Sequence, residues 1–163
     1  MSFDDLAVAA GRRIAARYRA VAEGPMAGLP VCNPALGVAD VAFRAHRGRA
    51  VGIVVTPWFM NVVAAPLPDG EPLPAAKPGE TLTLALPGGD LALIVGDLPA
   101  FGRLDACSLF SPMQDFAGMD AALEAARAAM AELFAPAAEV PAAEGAHDRR
   151  AFLAGRFGLP VVR

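Results

Sequence analysis

The chain has 163 residues, of which 55% are hydrophobic and 19% charged, so it is long enough to fold as one domain around a sizeable core. Its net charge of −3 argues against a nucleic-acid-binding protein, since the densest basic stretch, residues 44–49, is interpreted as a hairpin turn. No apolar run approaches the roughly 20 residues that span a bilayer, and Asp4 and Asp5 precede the first apolar stretch, so neither membrane insertion nor secretion is predicted.

The two cysteines, Cys32 and Cys107, are far apart in the chain and form no Cys-x-x-Cys motif. This pattern suits a reducing compartment and gives no sign of a disulfide framework. We therefore expect a cytoplasmic protein.

An amphipathic helix is predicted at the N-terminus. Ser2 is a candidate N-cap with Asp5 three residues later, and apolar side chains recur from Phe3 to Val21 at spacings of three and four. The helix is expected to end at the Gly-Pro pair of residues 24–25, because glycine accepts a left-handed cap and proline cannot continue the helix.

Strand patterns follow. Residues 38–43 and 51–55 predict a β-hairpin about the polar turn 46–49. Pro57 interrupts the second arm, and the apolar run 58–64 is interpreted as a third strand after a kink. A helical turn at Pro57 is the alternative.

A stiff, extended loop is predicted for the proline-rich residues 66–78. Residues 81–86 and 91–96 predict a second hairpin about the turn 87–89, and a short strand is expected over 104–109. Together these segments give about five or six strands, the usual size of an antiparallel sheet.

Helical spacing returns from Met119 to Phe134, and Pro136 ends it. The predicted fold is α+β: a single domain in which an antiparallel sheet of about five or six strands is flanked by the N-terminal and C-terminal helices on one side. Residues 1–135 are expected to form the folded body, and residues 136–163 a linker and C-terminal arm of the same domain.

Patterns for catalysis or metal binding are weak. Neither Ser108 nor Ser111 lies in a Gly-x-Ser-x-Gly elbow, so a hydrolase has little support. No two cysteines or histidines stand at ligand spacing, and the glycines at 88, 89 and 96 form no phosphate loop. We expect no enzyme activity, no metal and no organic cofactor.

Three stretches are candidates for binding a partner protein. Residues 56–59 place the only tryptophan after a proline kink, where its ring is either an outward anchor or part of the core. Residues 106–113 end a strand with small polar groups and a methionine, and form either an adaptable rim or a plain turn. The basic and aromatic tail 149–157 is interpreted as a docking arm, with permanent packing on the sheet as the alternative. The candidate partner-binding residues are Thr56, Pro57, Trp58, Phe59, Ser108, Ser111, Pro112, Met113, Arg150, Phe152, Leu153 and Arg156.

The segments Val51–Trp58, Cys107–Met113 and Arg149–Arg156, in this order and spacing, resemble the HybE/HupJ family of nickel-iron hydrogenase assembly chaperones. The resemblance covers nearly the whole chain. It implies a cytosolic, non-catalytic protein that binds a hydrogenase subunit precursor and keeps it competent for cofactor insertion and export. Some members are associated with a rubredoxin, but the paired Cys-x-x-Cys ligands are absent here, so no iron site is implied. A thiol redox or oxygen-protective protein acting through Cys107 is the alternative.

Overall fold

The computed structural model describes residues 1–71 and 73–136 of the protein. Within these ranges it contains two helices and eight strands. In chain order they are α1 (Phe3–Glu23), β1 (Ala39–His46), β2 (Arg49–Val55), β3 (Met60–Pro66), β4 (Thr81–Leu86), β5 (Gly89–Ile94), β6 (Asp97–Leu98), β7 (Gly102–Arg103), β8 (Asp105–Phe110) and α2 (Met119–Phe134).

Helix α1 begins with the predicted capping box. The Ser2 hydroxyl accepts a hydrogen bond from the Asp5 N–H, and the Asp5 carboxylate accepts one from the Ser2 N–H, each at 3.1 Å. These bonds satisfy two amide groups that the first turn leaves without helical partners. The Ser2 backbone N–H, and after it the Ser2 side chain, stabilise the Asp5 carboxylate and so lower the pKa of Asp5. Gly24 is the C-cap as expected, but at φ −110° it is not left-handed.

The six longer strands form one antiparallel sheet in the order β1-β2-β3-β8-β5-β4, and β6 pairs with β7 separately. This confirms the predicted α+β class, the single antiparallel sheet and both hairpins. The third strand is also confirmed, although it starts at Met60 and leaves residues 56–59 as a turn. Strands β6 and β7 were not predicted, because two residues are too short to show a periodicity.

The two helices pack on opposite faces of the sheet, so the prediction that both lie on one side is wrong. Strand β2 is buried along its whole length. Its residues Val51, Ile53 and Val55 share a core with α2, whereas Ala50 and Val54 share a second core with α1. A continuous apolar run without alternation is what a strand covered on both faces requires.

The sheet curls around α2 until its two edge strands come within side-chain reach. His46 of β1 places Nε2 2.7 Å from the carbonyl oxygen of Ala85 in β4. The C-terminal end of α2 lies between these edges, since the His46 ring packs edge-on against Phe134 and the Gly88 N–H donates to the Leu133 carbonyl at 2.9 Å. This closure fixes the concave, α2-bearing face of the sheet.

On the other face, α1 approaches the sheet closely through one aromatic ring. Phe43 is buried between Gly11 of α1 and Gly52 of β2. A Cβ atom built at Gly52 would lie 2.4 Å from the Phe43 ring, and one at Gly11 would lie 2.6 Å from it. Glycine at both positions is therefore what lets the ring fit between helix and strand.

We predict that Gly52→Ala lowers the free energy of unfolding by about 1–3 kcal/mol, because the new methyl group overlaps the confined Phe43 ring. Urea denaturation measures this change. Gly37→Ala is the matched control, since nothing lies within 4 Å of a Cβ at exposed Gly37, and it should change the stability by less than about 0.5 kcal/mol. Equal midpoints for both variants would contradict the packing argument.

Candidate functional site

Two of the three predicted partner-binding stretches lie at the same end of the sheet. Met60 at the start of β3 pairs with Phe110 at the end of β8. The turn that precedes β3 and the segment that follows β8 therefore leave the sheet side by side. The sequence predicts one candidate surface from all three stretches, and the antiparallel pairing brings two of them close together.

The turn between β2 and β3 is held by Thr56. Its hydroxyl oxygen accepts hydrogen bonds from the N–H groups of Trp58 (3.2 Å) and Phe59 (3.0 Å), and its backbone N–H donates to the Phe59 carbonyl at 2.9 Å. Thr56 and Pro57 are buried, whereas the side chains of Trp58 and Phe59 are half-buried. Of these four predicted contact residues, the first two shape the turn and the last two are partly exposed.

Asn33 fastens this turn to the segment after β8. Its backbone N–H donates to the Pro57 carbonyl at 2.8 Å, and its Nδ2 donates to the carbonyls of Met113 (3.0 Å) and Phe116 (2.9 Å). Its Oδ1 accepts from the Ala35 N–H at 3.0 Å, and the residue is only 6% exposed. Sequence reasoning missed Asn33; the available signal was an Asn-Pro pair in a loop, where asparagine commonly bonds the backbone two residues on.

The segment after β8 divides between surface and core. Ser111 and Pro112 are exposed, whereas Met113 is fully buried in the core beneath α2. The expectation that Met113 lines an exposed rim is therefore not met. Two residues that were not predicted, Leu29 and Val31, are each 42% exposed on the neighbouring loop.

That loop is tied to the same segment by Gln114, whose Nε2 donates to the Val31 carbonyl at 2.9 Å and approaches the Pro30 carbonyl at 3.4 Å. The loop that contains Leu29 and Val31 is therefore held next to the Pro112 segment.

Three aromatic rings form a cluster at the turn. The Tyr18 ring of α1 packs edge-on against Phe59 at a centroid distance of 5.2 Å and against Trp58 at 6.5 Å, and the latter two rings are 5.6 Å apart. Such edge-on contacts fix ring orientations. Burial also raises the pKa of Tyr18, because loss of solvent destabilises the charged phenolate more than the neutral phenol.

A cavity of about 330 Å³ adjoins this cluster, on the face of the sheet that α1 covers. Its walls are formed by Tyr18, Asn61, Ile94, Val95, Gly96, Asp97, Leu98, Leu104, Ala106 and Ser108. Ile94, at 57%, is one of the most exposed large apolar side chains in the described chain. We call this cavity the cleft.

Two buried polar atoms in the cleft, Oδ1 of Asn61 and Oγ of Ser108, have no hydrogen-bond partner among the residues that the structure describes. Asn61 and Ser108 are directly opposite each other on β3 and β8. Ser108 is the one predicted site residue that lies here. Buried polar atoms in native proteins are nearly always paired, so these two neighbouring exceptions make the cleft a candidate binding site.

A buried ionic cluster lies elsewhere and has a structural role. Asp105 is fully buried and accepts hydrogen bonds from Arg103 at 3.2 Å on both carboxylate oxygens and from Arg49 at 3.4 Å. Arg103 also donates to the Pro74 carbonyl at 2.9 Å, which fastens the proline-rich loop to the sheet. Desolvation lowers the pKa of Arg49, although nearby Asp105 opposes this effect.

The remaining predicted features are placed as follows. Cys107 is partly buried and packs against the core shared with α2, on the face away from the cleft. Arg150, Phe152, Leu153 and Arg156 lie outside the described residues. In residues 1–71 and 73–136, no three His, Cys, Asp or Glu side chains are grouped to hold a metal ion, and neither helix is long and apolar enough to cross a membrane.

Comparison with known proteins identifies the family. Residues 9–155 match the family described as NiFe-hydrogenase assembly, chaperone, HybE. The chain belongs to this family. The HybE family resemblance drawn from the sequence is thus confirmed, and with it a role as a chaperone of nickel-iron hydrogenase assembly.

Relatives of the chain agree with this assignment. It is 46% identical to the hydrogenase expression/formation protein HupJ of Bradyrhizobium diazoefficiens, over 91% of this chain and 89% of that protein. It is 41% identical to the hydrogenase expression/formation protein HoxT of Azotobacter vinelandii, over 89% and 94%. The solution structure of HybE from Escherichia coli superposes with a TM-score of 0.63 at 25% identity, covering 83% of this chain and 85% of that one.

We predict that Asn33→Ala lowers the free energy of unfolding by about 2–3 kcal/mol, because it removes three side-chain hydrogen bonds and leaves two buried carbonyls unsatisfied. Urea denaturation followed by fluorescence of Trp58, the only tryptophan, measures the loss at the turn itself. Gln114→Ala removes only exposed bonds to the same loop and should cost less than about 1 kcal/mol. If the two variants have the same free energy of unfolding, Asn33 does not fasten the turn.

The pKa of Tyr18 predicts a loss of stability in alkali. The pKa is raised in the folded protein above the ordinary value of 10.0. The contribution of the neutral Tyr18 side chain to the free energy of unfolding is therefore fully present below about pH 10. It is lost as the pH rises through the folded pKa. Tyr18 is the only tyrosine, so its tyrosinate absorbance reports the folded pKa directly. Tyr18→Phe should lack this part of the pH dependence; an absorbance midpoint at or below 10 would contradict the burial argument.

Proposed function

We propose that the chain binds a hydrogenase subunit precursor in the cytoplasm, before cofactor insertion and export, and acts by holding this client rather than by catalysis. The family assignment supports assembly of a nickel-iron hydrogenase. The names of its relatives describe hydrogenase expression and formation. A chaperone in such a pathway needs a surface for another polypeptide.

The observation that carries the proposal is the partly exposed aromatic pair Trp58 and Phe59 on a turn whose backbone is fixed from two sides. Thr56 caps the turn from within, and Asn33 bonds it from the neighbouring loop. A large ring held in one orientation loses little conformational entropy when a partner covers it. Tryptophan in such a position is the residue type that most often dominates an interface.

The C-terminal arm enters the proposal as a closing segment. Its arginines, Arg150 and Arg156, are suited to carboxylates on a client, and Phe152 and Leu153 supply apolar area beside them. The division into a body of residues 1–135 and an arm of residues 136–163 stays a prediction.

The thiol alternative has less support from the geometry. A redox-active cysteine needs an accessible sulfur in a setting that favours the thiolate. Cys107 is partly buried against the core beneath α2, on the opposite face from the cleft. We therefore retain client binding as the function of this site.

We predict that Trp58→Ala weakens client binding by about 2 kcal/mol or more and changes the melting temperature little. The test uses the purified chain with the large-subunit and small-subunit precursors of its own organism's nickel-iron hydrogenase, and measures the dissociation constant of each by calorimetry.

Phe3→Ala is the matched control, because Phe3 is an exposed aromatic residue at the opposite end of α1 from Tyr18. It should leave binding unchanged. If neither precursor binds the wild-type chain, the proposed function fails. If Trp58→Ala instead lowers stability by about 3–5 kcal/mol, the ring is part of the core and is not an anchor.

A further inference from the structure

We propose that the cleft binds one residue of an extended client segment through its main chain: Asn61 Oδ1 accepts the client N–H, and the Ser108 hydroxyl donates to the client C=O. This inference rests on the proposed function, because the segment belongs to the hydrogenase subunit precursor. It assigns to the cleft a task separate from that of the aromatic turn.

The first argument is the energetic cost of the two polar atoms. Asn61 Oδ1 and Ser108 Oγ are buried without partners among the described residues. A buried polar atom that makes no hydrogen bond destabilises the fold, so an apolar pair at these positions would give a more stable sheet. The cost is recovered when a ligand supplies a donor to the amide oxygen and an acceptor to the hydroxyl.

The second argument is the spacing of the two groups. Side chains directly opposite each other on antiparallel strands have Cβ atoms about 4.5–5.5 Å apart. Asn61 and Ser108 are such a pair. A residue in extended conformation presents its own N–H and C=O toward the same side, as it does when it pairs with a neighbouring strand. One extended residue therefore matches the donor and acceptor that the pair requires.

The third argument is the opening of the sheet beside the cleft. Within the described chain, β4 and β5 pair along all six residues, whereas the register between β5 and β8 contains the single pair Ile94–Ala106. Ser108 lies two residues beyond that pair, where β8 has no register partner on β5. The cleft lies on this side of β8, where Ile94, Val95 and Gly96 form its wall.

The walls of the cleft suit the rest of such a segment. Its volume of about 330 Å³ is at the lower end of the range for ligand pockets, which is enough for a short stretch of chain. Ile94 is exposed at the rim, and Leu98 and Leu104 line the interior, so an apolar client side chain has surface to cover. The polar pair then sets the position of the backbone, and the walls contribute apolar burial.

The test separates binding from stability. Asn61→Leu and Ser108→Ala should each weaken the binding of the captured precursor about tenfold or more, because the client group opposite is left without its partner. Neither variant should lower the melting temperature, since each removes an atom that has no partner among the described residues of the unbound protein. Thr83→Val, which removes an exposed hydroxyl on β4 outside the cleft, is the control and should bind normally.

Synthetic peptides identify the client group. Overlapping peptides of the captured precursor locate the bound segment, and N-methylation of one backbone position at a time removes each N–H donor. We expect one N-methyl position to abolish binding to the wild-type chain and to add little further loss in Asn61→Leu, the non-additivity of groups in contact. If an Asn or Gln side chain of the peptide shows this coupling instead, the client binds through a side-chain amide and the main-chain assignment is overturned.

The outcomes distinguish this inference from the proposed function. If a precursor binds the wild-type chain and both cleft variants equally well, the cleft assignment is wrong while client binding stands. A large loss of melting temperature in Asn61→Leu and Ser108→Ala would show that these atoms serve the fold, which also overturns it. Absence of any precursor binding to the wild-type chain would instead remove the proposed function.

Discussion

Two-sided burial of β2 is the constraint on which the rest of the molecule depends. Each helix covers the β1–β2 side of the sheet from its own face, so two cores meet across one strand. The sheet then curls around α2 and encloses the apolar side chains of β4 and β5 on that concave face. On the α1 face no such closure occurs within the described chain. The short β6–β7 hairpin lies over the part of the sheet beyond β3. The cleft lies where the cover of α1 ends.

The polar side chains at that boundary are unfavourable for the stability of the fold. Asn61 and Ser108 occupy positions where the neighbouring residues of the same face, such as Val63 and Ala106, are apolar. A sequence selected only for stability would continue that pattern. Local departures of this kind are expected where a protein gives up stability for a binding site. The turn shows the opposite arrangement, because Thr56 and Asn33 satisfy its backbone groups and so make it rigid.

The sequence was sufficient for features set by neighbours in the chain. The capping box at Ser2, both hairpins and the helix at 119–134 follow from local spacing, and the structure confirms them. Opposite-face helix packing was missed because the apolar run of β2 was treated as one arm of a half-exposed hairpin. The Asn33 contacts were out of reach, since its side-chain partner Met113 is 80 residues away. The cleft was equally hidden, because the register that places Asn61 opposite Ser108 pairs two strands that lie far apart in the chain.

Tyr18 makes the aromatic turn and the cleft parts of one surface. Its ring contacts Trp58 and Phe59 on one side and forms a wall of the cleft on the other. Because α1 is fixed to the sheet through the Phe43 ring, Tyr18 has little freedom to move independently of the turn or of the cleft. A segment in the cleft would therefore press against a ring that also sets the orientation of the turn. Substitutions at the turn and in the cleft share this neighbour, so their effects on client binding should be non-additive even though the turn and the cleft contact different parts of the client.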